Sequence, residues 1–297
     1  MKKIWICGSQ GMLGSHFTSL MAERSIPFVE SDRDTLDITD LNQVSDYVRI
    51  QKISHVINCA AYTQVDLAET EQKQAYMVNA MGAHHLAVAA RRHGARLIHF
   101  STDYVFDGSE RIPYKEDHPC RPLNAYGMSK FAGELKILEE HRHTCILRTS
   151  WLFGGPHPNF VLKMLSLMQE REQIKVVSDQ VGRPTYCADL AAATLELLAL
   201  DAEGIFHFAN AYETSWYLFA KEIKRQAEEL GFPLKCSSID PIPTSQYPTP
   251  AVRPVYSTLN TRKIEALLKQ TPRSWQEALK AYLKALKKTP HLEPAAV

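Results

Sequence analysis

The 297-residue sequence lacks an excess of either charge, with 34 Lys and Arg against 33 Asp and Glu. Without a basic surplus there are few counterions to release, so neither nucleic acid nor an anionic membrane surface is an expected partner. Long apolar runs are missing too. None approaches the roughly 18–20 residues that cross a bilayer. The opening stretch Ile4-Trp5-Ile6-Cys7 stops at Gly8, short of the about 7–15 residues of a signal-peptide core. The six cysteines, at 7, 59, 120, 145, 187 and 236, contain no CxxC pair. That excludes a cysteine zinc knuckle and argues against a disulfide framework, so the thiols read as reduced core residues of a cytoplasmic protein. No HExxH spacing occurs among the twelve histidines. His84-His85 and His141-Arg142-His143 read as helix-surface residues, and no metal is predicted. No repeat or low-complexity tract is present.

What is there alternates. Short apolar runs (Lys3–Cys7, Pro27–Glu30, His55–Cys59, Arg96–Ser101, Thr144–Thr149) are separated by helical stretches (13–23, 41–51, 74–92, 126–140). This rhythm is the signature of βαβ units, hence an α/β fold of the doubly wound, Rossmann type with a parallel sheet. After Trp151 the rhythm changes, with helices expected over 160–169, 189–198, 262–270 and 274–287 and a short strand at 175–177. Five prolines in 239–254 force extended or turned chain, Ser274 and Glu277 form a capping box, and 289–297 reads as a frayed tail. The reading is a dinucleotide-binding domain over 1–150, with a return segment near 174–210, and a smaller α/β substrate lobe over most of 151–297.

Gly8-Ser9-Gln10-Gly11-Met12-Leu13-Gly14 follows the first strand and opens the first helix. A pyrophosphate there needs backbone N–H groups and no Cβ in the way. The spacing GxxGxxG differs from the commoner GxGxxG, and an ordinary strand–helix turn is the alternative. Asp32 stands eighteen residues after Gly14, with Arg33 beside it. Asp32 suits a free ribose 2′-hydroxyl and Arg33 a 2′-phosphate, so NADH and NADPH both stay open. Tyr126 and Lys130, at i and i+4, share one helix face. Thr102, in Ser101-Thr102-Asp103 after the fourth run, supplies a hydroxyl at the sheet's carboxyl edge. Together these three form a carbonyl-reducing set in which the phenol gives a proton to the oxygen. A lysine ammonium about 4 Å away is expected to bring the phenol's pKa down by close to three units.

On these residues the chain resembles the extended short-chain dehydrogenase/reductases and, within them, the dTDP-4-dehydrorhamnose reductase family. The matching segments run in order through both halves: Gly8–Gly14, 36–40, 56–66, 101–108, 122–130, 148–151, 179–185, and Pro243-Thr244-Ser245-Gln246-Tyr247-Pro248-Thr249-Pro250 leading to Arg253-Pro254. The resemblance implies a Rossmann fold with a C-terminal sugar-nucleotide lobe and reduction of a dTDP-linked 4-keto-6-deoxy sugar with NADPH or NADH. It places Thr102, Tyr126 and Lys130 at catalytic positions, the last also holding the cofactor ribose. It places Gly8, Gln10, Gly11, Met12, Leu13, Gly14, Asp37, Ile38, Ala60, Ala61, Tyr62 and Thr63, besides Tyr126 and Lys130, at the cofactor, joined by Asp32 and Arg33. Thr102, Asp103, Tyr104 and Trp151 fall where the family contacts the sugar nucleotide. Arg253, flanked by Pro250 and Pro254, is the candidate cation for the substrate diphosphate, against a structural salt bridge. A family position carrying an acidic residue near a metal is His16 here, which leaves the prediction of no metal in place. A homodimer is compatible with the resemblance. So are two other functions: reduction of a different nucleotide-linked 4-keto sugar, and a non-catalytic NADP-binding regulatory subunit of the same fold.

Overall fold

The computed structural model describes residues 3–288; the tail expected over 289–297 lies outside them. The first half runs β1 (Ile4–Cys7), α1 (Met12–Glu23), β2 (Phe28–Ser31), α2 (Leu41–Gln51), β3 (His55–Asn58), α3 (Gln72–Tyr76), α4 (Ala83–Arg92), β4 (Arg96–Thr102), α5 (Ala125–Glu140) and β5 (Thr144–Thr149). A π-helical segment, Met77–Gly82, joins α3 to α4 as one rod. Then follow β6 (Leu152–Phe153), α6 (Phe160–Glu170), β7 (Gln173–Val177), β8 (Val181–Gly182), β9 (Thr185–Tyr186), α7 (Cys187–Ala199), β10 (Gly204–His207), β11 (Thr214–Ser215), α8 (Trp216–Glu229), β12 (Ser238–Ile242), α9 (Arg262–Leu268) and α10 (Trp275–Lys288).

Six strands form one sheet in the order β10-β5-β4-β3-β1-β2, with every pairing parallel. Both faces are covered, which is why these strands are continuous apolar runs. Successive side chains of β1 go to opposite faces: Ile4 and Ile6 join Phe17, Met21, Ile98 and Leu190 under α1 and α7. Trp5 and Cys7 join Val44, Val48, Leu86 and Ile146 under α2, α4 and α5. A separate core, with Phe153, Met168, Phe219, Trp275, Leu279 and Tyr282, holds α6, α8 and α10 together.

The expected doubly wound sheet is present, and most helices lie within a residue or two of their expected bounds. The capping box also forms, with Ser274 N donating to Glu277 Oε2 (3.0 Å) and Glu277 N to Ser274 Oγ (3.2 Å). Helix α8 had no sequence expectation, although Ser215 caps it by accepting from Leu218 N. The proline-rich stretch begins with a true strand: Pro241 of β12 lies opposite Val176 of β7. In a two-stranded ribbon its missing N–H faces an open edge. His141, expected on a helix surface, is buried and bonds the Ala95 carbonyl at 2.9 Å. Among the described residues no helix is long and apolar enough to cross a membrane.

Candidate active site

In the sheet β1 has β2 on one side and β3 on the other, so the chain reverses direction there, and the crevice beyond the strands' carboxyl ends is where such folds bind ligands. A cavity of about 390 Å³ opens at this point. Gly11, Met12 and Leu13 line it from the turn after β1, Ala60, Ala61 and Thr63 from beyond β3, and Thr102, Asp103 and Tyr104 from the end of β4. Tyr126 and Lys130 enter from α5 and Trp151 from beyond β5.

The three glycines of the first turn divide the work. Gly8 has φ +76°, and a Cβ there would sit 2.6 Å from Ala60 N; one on Gly14 would sit 2.1 Å from Gly8 O. Both are demanded by packing of turn on turn. Gly11 is different: a Cβ there meets only Gly8 O, at 3.3 Å. It is the N-cap of α1, no side chain caps this end, and the first turn carries no acid. The uncapped N–H groups of Met12 and Leu13 thus face the cavity across a position without a Cβ, a donor set and a clearance that fit a dinucleotide pyrophosphate.

Helix α5 is placed by tight contacts. Asn124 caps it by accepting from Gly127 N (2.8 Å). A Cβ on Gly127 would meet Tyr104 O at 2.3 Å, and one on Gly133 would meet Asn79 O at 2.2 Å. Asn79 sits in the π-helical segment, where the widened turn lets its side chain donate to Ser129 Oγ (2.9 Å) and exchange two hydrogen bonds with the backbone of Tyr62. Tyr126 is thereby pressed toward β4, with its ring 6.0 Å from that of Tyr104, edge to face.

The electrostatics differ from the sequence expectation. Burial pushes the Tyr126 phenol up to about 12; the neighbouring Thr102 hydroxyl draws it down and the Asp103 carboxyl pushes it further up. The Lys130 amine donates to the Phe100 carbonyl at 2.6 Å. Burial in turn brings Lys130 down to about 8, opposed by Glu134 and Cys59. Asp103 is raised by burial to about 7, although it accepts from Ser257 Oγ (2.5 Å) and Thr102 Oγ1 (3.1 Å).

Trp151 adopts φ +48°, a left-handed conformation uncommon for a bulky residue. It stacks on Trp216, centroids 3.5 Å apart and 8° from parallel. Gly182 makes room, since a Cβ there would meet Trp151 Cε2 at 2.7 Å. Trp216, Asn58, Cys59, Val65 and Ser150 also line the cavity and were not anticipated. A serine N-cap followed at once by tryptophan was the available signal for Trp216.

Other expected residues lie elsewhere. Gly8, Gln10, Gly14, Asp37, Ile38 and Tyr62 support the turns around the cavity without lining it. The Asp32 carboxylate, at the end of β2, accepts from Asp34 N (3.0 Å) and Thr35 N (3.1 Å) of its own turn, with Arg33 exposed beside it. Of the two roles left open for Arg253, the structure shows the salt bridge. Arg253 does not line the cavity but grips Asp66 with both terminal nitrogens, at 3.0 and 2.8 Å. The two prolines hold it for this salt bridge, which ties the 249–254 segment to the chain after β3.

A family model described as "RmlD substrate binding domain" matches residues 1–288. The dTDP-4-dehydrorhamnose reductase of Streptomyces griseus is 41% identical over 287 residues, spanning 95% of this chain and 93% of that protein. The chain belongs to the dTDP-4-dehydrorhamnose reductase family. A dTDP-4-keto-6-deoxy-D-glucose reductase of Streptomyces niveus is 39% identical over 255 residues, 86% of this chain and 87% of that one. The crystal structure of the Bacillus anthracis dTDP-4-dehydrorhamnose reductase, in complex with NADP, superposes with a TM-score of 0.91 at 38% identity, covering 96% of this chain and 100% of that one. As a member of this family the chain is an NAD(P)H-dependent oxidoreductase.

Proposed function

We propose that the protein reduces the C4 ketone of dTDP-4-dehydro-6-deoxy-L-mannose to the alcohol of dTDP-L-rhamnose, in the cytoplasm, with NADPH or NADH. The observation that carries this reading is the meeting of Thr102, Tyr126 and Trp151 on one cavity that begins at the glycine turn. A bound reduced nicotinamide supplies the hydride that reaches the carbonyl carbon. The residues of the chain do the rest. The Met12 and Leu13 amides at the start of α1 hold the diphosphate of the cofactor. As negative charge grows on the ketone oxygen, Thr102 orients it by hydrogen bond and Tyr126 donates the phenolic proton. The phenol is fully protonated at neutral pH, so it is loaded as an acid, and solvent restores its proton after turnover. Lys130 serves the ribose of the cofactor from the same helix face. The Trp151–Trp216 pair presents a flat apolar surface suited to a 6-deoxy sugar face, excluding water from one side. Asp103, held by Ser257 from the C-terminal lobe, offers a carboxyl to sugar hydroxyls.

The Streptomyces niveus relative supports a second reading, reduction of dTDP-4-keto-6-deoxy-D-glucose, which differs in ring stereochemistry and not in the reacting group. Both are tested together by incubating the purified protein with each keto sugar and NADPH, following absorbance at 340 nm, and identifying the product by NMR. Formation of dTDP-L-rhamnose supports the first reading, and turnover of only the glucose-configured ketone replaces it with the second. Absence of NADPH oxidation with either overturns both.

A further inference from the structure

Behind the cavity a line of hydrogen bonds runs from one backbone group to another through three side chains. Ala60 N donates to Asn58 Oδ1 at 3.0 Å. That fixes the amide orientation and leaves Asn58 Nδ2 facing His99 Nδ1 at 2.9 Å. The other ring nitrogen, His99 Nε2, lies 3.3 Å from Lys130 Nζ, and Lys130 Nζ donates to the Phe100 carbonyl at 2.6 Å. Asn58, His99 and Lys130 are 2%, 1% and 3% exposed.

The donors in this line point one way. A carboxamide nitrogen only donates, so His99 Nδ1 must accept, and a neutral imidazole then carries its proton on Nε2. Burial holds the His99 pKa well below the ordinary value, so the ring is neutral. Its Nε2–H is aimed at Lys130. An ammonium has three donors and no acceptor, so a charged Lys130 would set donor against donor at His99 Nε2, at the cost of an unsatisfied polar group. A neutral amine accepts from Nε2–H on its lone pair and still donates to Phe100 O.

From this line we infer that Asn58 and His99 are positioning residues that favour the uncharged amine of Lys130 in the cofactor-free protein, so that in alkaline solution the site takes up a proton when Lys130 leaves His99 for another oxygen acceptor. The inference rests on the reductase reading only for what draws Lys130 away, namely the cofactor ribose. The charged and titratable groups facing Lys130 are few. Glu134, one turn along α5, favours the ammonium, but Arg148 of β5 claims it in a buried pair at 2.7 Å. The Cys59 thiol beyond β3 is held well above its ordinary pKa by burial and is therefore uncharged. The fall of Lys130 to about 8 has the direction this arrangement requires. The proton taken up comes from solvent; no bond other than N–H is made or broken.

Nitrogen-15 NMR of histidine- and lysine-labelled protein, first without cofactor, provides the test. The expected result is a His99 ring protonated on Nε2 and a Lys130 amine that titrates about two pH units below an ordinary lysine. A proton on Nδ1, or an ordinary lysine titration, overturns the inference. Asn58→Asp replaces the donor by an acceptor; it is expected to move the ring proton to Nδ1 and to raise the Lys130 titration by about 1–3 pH units. Calorimetry of NADPH binding near pH 9, in two buffers of different ionisation enthalpy, then reads the linkage. Uptake approaching one proton is expected, and zero uptake overturns the coupling. Should NADPH not bind, the reductase reading fails, while the NMR result on the free protein still decides the state of Lys130.

Discussion

On one wall of the cavity Thr102, Tyr126 and Lys130 stand at the end of β4 and on the first turns of α5, locked by caps and by glycine contacts of neighbouring segments. On the other wall Trp151 and Trp216 come from a loop and from a helix start 65 residues apart in sequence (216 minus 151) and lie flat on each other. The first wall is ordered by hydrogen bonds with fixed donors and acceptors, and the second by area and shape. Polar positioning suits proton transfer, where an error of an ångström matters, whereas a stacked pair suits a sugar face whose hydroxyls and methyl group must slide into place. The two walls should therefore fail differently when cut.

The largest effect belongs to the polar wall. Tyr126→Phe is expected to lower kcat by about 10²–10⁴-fold while NADPH affinity measured by fluorescence stays within about twofold; near-normal turnover would end the assignment of the phenol as acid. Trp216→Ala cuts the aromatic wall and should raise KM for the sugar nucleotide by about tenfold, from about 1.4 kcal/mol of lost stacking and burial, with kcat changed much less. Gly182→Ala, which drives a methyl into the Trp151 indole, should give the same KM signature. A kcat loss without a KM change in either variant would erase the distinction between the walls.

Outside the cavity, His207 at the end of β10 is buried, and burial followed by the nearby Arg148 charge holds its pKa at about 3. The native state therefore binds fewer protons than the unfolded chain between about pH 6.5 and 3, and stability present above pH 6.5 is lost as the pH falls through that window. The loss is up to about 1.4 kcal/mol per pH unit from this one residue. Urea midpoints recorded from pH 7 to 4 should show a shallower slope for His207→Asn than for the parent. The smallest effect is expected outside both walls. Arg253→Ala breaks a partly exposed pair with Asp66 and should cost about 1 kcal/mol or less, with KM for the sugar nucleotide unchanged. A KM rise of tenfold would restore Arg253 as a diphosphate ligand.

The readable parts of the fold and the site were those written in short contiguous segments. Continuous apolar strands announced a sheet covered on both faces, and the run Gly8–Gly14 announced a turn that admits no Cβ at two of its three glycines. Tyr126 and Lys130 sat at a spacing that a helix places on one face, and those residues do meet on one cavity. The unread parts depend on partners far along the chain. Trp216 was missed because its stacking partner lies in another element, and the two roles of Arg253 stayed open because Asp66, its counter-ion, is 187 residues away. Helix α8 went unread although Ser215 caps it by accepting from Leu218 N.

The order of apolar runs and helical stretches by itself determined the parallel sheet and its crevice, and the spacing of Tyr126 and Lys130 put both on one helix face, because strand period, helix period and glycine sterics act within a few residues. Only the tertiary structure decided which partners the titratable groups of that crevice meet. Whether Lys130 faces the phenol or the His99 ring, and whether a guanidinium meets a ligand or Asp66, depends on burial and on hydrogen-bond direction. Both exist only once distant segments have closed around the group and driven out the water.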